Sequence, residues 1–110
     1  MDESNSEQAV FVYVPLSDDS FGSTDELVAI QRLHIAIDDA VGPLGGEAVG
    51  HDLGAGEAVI YVHGPDADAL TDAIRVVVTD IYAAKVDAYA IKHYGPEDDS
   101  TARRERVALT

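Results

Sequence analysis

The chain has 110 residues and a mass of 11.7 kDa, the size of one domain with a single core. Apolar residues make up 46%, too many for a disordered chain, and no run approaches the roughly 18 apolar residues of a membrane span. Without cysteine there is no disulfide framework, no thiolate nucleophile and no Cys-type zinc site.

Twenty-one Asp and Glu against seven Lys and Arg give a formal charge of -14. A field of that sign repels phosphate backbones, which disfavours nucleic acid, and it speeds encounter with a basic protein. The same acidity also serves solubility with no partner implied. Three of the seven bases, Arg103, Arg104 and Arg106, crowd near the end, placing an Arg-rich tail where it can fold back on an acidic body.

Residues 1–8 form a flexible acidic lead, unlike a secretory leader, so a cytoplasmic location is expected. Ala9 to Leu16 is β-branched and aromatic and reads as a strand. Ser23-Thr-Asp-Glu26 fits a capping box, and Leu27, Ile30, His34, Ile37 and Val41 follow at helical spacing. Gly42-Pro-Leu-Gly-Gly46 stops that helix. Two short strands, 47–53 and 57–63, are joined by a three-residue link, Gly54-Ala-Gly56. Asp66 is placed to cap a second helix carrying Leu70, Ile74, Val77, Val78 and Ile81. Residues 87–94 read as a fourth strand and 105–109 as a short edge strand.

The order βαββαβ, with a weak echo between Phe11-Val-Tyr-Val-Pro15 and Val59-Ile-Tyr-Val-His63, predicts an α+β ferredoxin-like sandwich over residues 9–96. In it both helices cover one face of an antiparallel sheet. An acidic loop and the Arg-rich tail or edge strand take up residues 97–110.

Strand parity turns Val10, Val12, Val14, Ala58, Ile60 and Val62 towards the helices. Phe11, Tyr13, Val59, Tyr61 and His63 then share the open face, joined by Tyr89, Ile91 and His93 if the fourth strand keeps the same parity. RNA-recognition sheets present stacking aromatics there, but the supporting cations are missing. An apolar open sheet is normally covered by a second copy or by a partner protein.

The histidines form no H-x-H or H-E-x-x-H pattern, and no metal or cofactor is expected. His34 sits on the apolar stripe of the first helix. A hairpin centred on Ala55 sets His51 opposite Val59. Asp18, Asp19, Asp66 and Asp68 are expected to form an acidic rim, with the loops after the first and third strands at one end of the sheet and Glu47 and Asp87 nearby. Such a rim suits a hard cation or the bases of a partner, while the plainer reading of the same acids is helix caps and solvated loops. No nucleophile elbow, phosphate loop or dinucleotide fingerprint occurs.

Pro15-Leu-Ser-Asp-Asp19 with Phe21-Gly22, Gly54-x-Gly-Glu57, Tyr61, Gly64-Pro-Asp-Ala-Asp-Ala-Leu70 and Tyr94-Gly-Pro96 resemble a family of small bacterial proteins of similar length. The likeness spans most of residues 10–109. It implies a bacterial cytoplasmic domain and brings no activity, cofactor or catalytic residue with it.

Three functions follow as expectations. The first is a non-enzymatic acidic protein-binding domain, an immunity-type inhibitor or adaptor for a basic partner. The second is a homodimeric regulatory module sensing a small ligand, by analogy of fold. The third is a small monooxygenase-type enzyme using His51, His63 or Tyr61 at the sheet face.

Overall fold

A computed structural model describes residues 7–16, 24–82, 87–95 and 100–109. Strand β1 (Gln8–Pro15) is followed by helix α1 (Thr24–Val41), a single 3-10 turn and the hairpin strands β2 (Glu47–Gly54) and β3 (Glu57–Gly64). Helix α2 (Ala67–Tyr82), β4 (Tyr89–His93) and β5 (Arg104–Ala108) complete the chain. The five strands form one sheet in the order β2-β3-β1-β4-β5. This is the expected ferredoxin-like arrangement, extended by an edge strand.

Every neighbouring pair is antiparallel. The strands joined across each helix, β1 with β2 and β3 with β4, are parallel but separated by one intervening strand. The alternation of β1 and β3 explains the layering. Val10, Val12, Val14, Ala58, Ile60 and Val62 are all fully or almost fully buried under the helices. Ile30, Leu33, Ile37 and Val41 of α1 close over them beside Leu70, Ile74 and Val78 of α2. These are the i, i+3, i+4 positions that make one apolar helix stripe.

Asp66 caps α2 as expected, its Oδ1 accepting the amides of Asp68 at 3.0 Å and Ala69 at 3.3 Å. The start of α2 is also tied to β1, since the Ala67 amide donates to Gln8 Oε1 at 2.7 Å.

The β2–β3 hairpin differs from the expectation by one residue. Gly54 pairs with Glu57, so the link has two residues, Ala55 (φ 56°) and Gly56 (φ 79°). Two positive φ values are what a type I′ hairpin turn requires. His51 therefore stands opposite Ile60 rather than Val59. Because side chains alternate, this one-residue shift carries His51 to the helix side of the sheet.

Candidate functional site

The face away from the helices is built by register. Across the five strands, Glu47, His63, Ala9, His93 and Arg104 form one row. Gly50, Tyr61, Phe11, Ile91 and Arg106 form the next, and Asp52, Val59, Tyr13, Tyr89 and Ala108 the third. Residues opposite one another in an antiparallel pair share a face. All five expected face residues, Phe11, Tyr13, Val59, Tyr61 and His63, thus lie together, and β4 keeps the parity that adds Tyr89, Ile91 and His93.

The aromatic groups pack edge to face and face to face within the sheet. Phe11 meets Tyr61 in a T-shaped contact with ring centroids 5.8 Å apart, and lies 6.0 Å from the His93 ring. Tyr13 and Tyr89 stack at 4.9 Å with their planes 6° apart. The Arg106 guanidinium carbon lies 3.9 Å from the Tyr89 centroid, extending that stack by a cation–π contact. The Tyr89 hydroxyl donates to Glu57 Oε2 at 3.1 Å, and Tyr61 donates to Asp52 Oδ2 at 2.8 Å. Removal from water, and then the Glu57 carboxylate that needs the phenolic proton, push the Tyr89 hydroxyl above its ordinary value.

Charge on this face is divided. Acids Glu47 and Asp52 stand on the β2 edge, while Arg104 and Arg106 stand on the β5 edge. The Arg-rich segment does not cross the sheet; it pairs with β4 as a strand and meets the aromatic rows at Tyr89. Two clefts flank the rows. One of about 360 Å³ includes Glu7, Glu47 and His63, with Glu7 Oε2 3.5 Å from His63 Nδ1. The other, about 340 Å³, lies between Asp87, Tyr89 and Arg106.

The acidic rim is not assembled as expected. Since β1 and β3 are antiparallel, their following loops leave opposite ends of the sheet. Asp66 and Asp68 stand at the Gln8 end, with Glu47, whereas Asp87 precedes β4 at the Pro15 end. Asp18 and Asp19 lie outside the described residues. Asp66 is occupied as the cap of α2. Asp68 accepts the Tyr94 hydroxyl at 2.6 Å and pairs with Lys92 Nζ at 2.9 Å. The Tyr94 hydrogen bond first, and Lys92 second, hold the Asp68 carboxyl below its usual range. Tyr94 is pushed upward, chiefly by burial and then by hydrogen bonds to Asp68 and Glu105. This network fastens β4 and β5 to the start of α2, and Arg103 stacks on the Tyr94 ring at 4.3 Å.

The grouping of His51 with His63 and Tyr61 is also corrected, because His51 lies on the other side of the sheet. There it meets His34 of α1, with the two Nδ1 atoms 3.0 Å apart and the rings edge-on. This pair was missed from sequence because the assumed hairpin register sent His51 to the open face. His93 closes its strand, fully buried beside Phe11. Among the described residues, no three His, Cys, Asp or Glu side chains could hold a metal ion, and no helix is long and apolar enough to cross a membrane.

No protein-family model matches the chain, and no curated protein does. Among solved structures, a hydantoinase/carbamoylase family amidase from Burkholderia ambifaria is similar, with a TM-score of 0.58 and 15% identity. The match covers 82% of this chain but 28% of the amidase. The likeness is one of fold, to a part of a much longer enzyme.

Proposed function

We propose that this domain is a non-catalytic, homodimeric regulatory module that associates through its open sheet face and holds a small polar ligand where the two copies meet. One observation carries the reading. The helices cover one side of the sheet, and the other side brings Phe11, Tyr13, Val59, Tyr61, Tyr89 and Ile91 together in its second and third rows, each half-buried. Contiguous apolar surface of this kind favours association. The flanking clefts reach the lower end of the size range for small-ligand sites and carry carboxylate, imidazole and guanidinium groups.

The test is sedimentation velocity over a wide range of protein concentration, followed by a thermal-shift screen of small polar metabolites. A concentration-dependent dimer with a ligand-dependent rise in Tm supports the module. A strict monomer at all concentrations overturns it. A second reading, docking of a basic partner, draws on the charge of -14. It requires a heterologous complex that dissolves in high salt.

A further inference from the structure

We propose that the second copy packs about a twofold axis running along β1, so that Arg104 and Arg106 of each copy meet Glu47 and Asp52 of the other. The proposal rests on the self-association reading above and specifies its geometry.

Glu47 and Arg104 occupy the two ends of one row, with four strand spacings between them. At about 4.8 Å per spacing, they are roughly 19 Å apart within one copy. That exceeds the Debye length of about 8 Å at physiological salt, so they do not neutralise one another. Neither side chain forms an ion pair among the described residues. Asp52 is held on the open face by the Tyr61 hydroxyl, and Arg106 by the Tyr89 ring. Both charges are thus fixed in place.

A face-to-face pair of identical sheets has its twofold axis in the plane between them. If the axis crosses the strands, β2 lies on β2 and β5 on β5, and like charges meet along both seams. If it follows β1, the strand order is inverted while the rows are kept. Then β2 faces β5 of the second copy, and Glu47 meets Arg104 in its own row. Arg106 leans over Tyr89 into the third row, where Asp52 stands. The two sheets reach the usual aligned angle of about 30° if the axis lies roughly 15° from β1. The same operation sets β3 over β4, placing Tyr61 over Ile91 and Val59 over Tyr89.

A face of five strands and five residues measures roughly 24 by 17 Å. Two such faces bury roughly 800 Å², below the roughly 1,000 Å² of a stable specific interface, so a weak, concentration-dependent dimer is expected.

The experiment is sedimentation velocity on the full chain, on Arg104→Glu/Arg106→Glu, on Glu47→Lys/Asp52→Lys, and on their equimolar mixture. Circular dichroism checks that each variant folds. Each variant alone should dimerise at least tenfold more weakly, and the mixture should regain dimer. The Lys variant is the more stringent, because it lowers the net charge of each copy and yet should dissociate. Dimers unaffected by either variant would overturn the axis while leaving self-association intact. Tighter association of the Glu variant with the unmodified chain would assign the axis across the strands. Absence of any dimer from the unmodified chain would overturn both.

Discussion

Replacing Gly46 by Ala tests how the corner of the open face is seated on the core. A Cβ at Gly46 would lie 2.6 Å from Leu70 Cδ2, 3.0 Å from Val41 Cβ and 3.2 Å from the His63 carbonyl oxygen. Carbon atoms are comfortable at about 3.5–4.0 Å, so Leu70 must move by close to 1 Å. It has no room to do so. Leu70 is fully buried among the core side chains of the sheet and both helices. Overpacking of this kind costs about 1–3 kcal/mol, and Leu70→Ala alone costs about 2–5 kcal/mol. In the double variant the new methyl enters the space that Leu70 vacates. The cost of Gly46→Ala should then fall below about 1 kcal/mol, leaving only the approaches to Val41 and His63. Urea denaturation of the four proteins, followed by far-UV circular dichroism, gives the coupling. Costs that add within about 0.5 kcal/mol would refute the clash as the reason for glycine here.

Ala55 occupies a left-handed position that Asn tolerates better, so Ala55→Asn should stabilise the chain by about 0.5–1 kcal/mol; a lowered Tm would count against the turn geometry. Asp68 has a depressed folded-state pKa, so its contribution to stability is full above about pH 4 and is lost as pH falls through the folded value. The gap between the unmodified chain and Asp68→Asn should therefore close in acid, and a constant gap in urea melts from pH 7 to pH 2 would exclude the carboxylate's charge as its source. Glu57→Gln removes a charge that keeps Tyr89 protonated, so the Tyr89 phenol should titrate lower, read from absorbance near 295 nm against Tyr89→Phe; an unmoved or higher titration would disprove the coupling. Dimerisation should strengthen as salt rises from about 10 to 150 mM, where whole-body repulsion is screened, and weaken towards 1 M; strengthening throughout would contradict seam ion pairs.

Much of the fold was legible because β1 and β3 alternate without interruption. Once Val12 and Ile60 are assigned to the core, Phe11, Tyr13, Tyr61 and His63 have only one face left. Strand β2 offered no such guide. Its sequence is short of apolar alternation, its register shifts between Ala48 and Gly50, and its turn was one residue shorter than the glycines suggested. One residue of error there sent His51 to the wrong side and hid its contact with His34. The acidic rim failed for a different reason. Composition identifies acids in loops, but only strand direction says which end of the sheet each loop leaves.

The acidity of the chain and the chemistry of its open face are separate matters. Of its 21 acids, Glu47, Asp52 and Glu57 lie in the described rows and their margin and Glu7 and Asp87 line the flanking clefts, against two arginines on the β5 edge. The face therefore carries both signs on separate edges, while the chain as a whole stands at -14. A surface designed to attract a strongly basic protein gains nothing from arginines at its edge. One meant to meet its own copy requires both signs, placed so that the symmetry operation exchanges them. Net charge then acts at long range, limiting unspecific association, and the divided edges act at contact, where they choose one orientation.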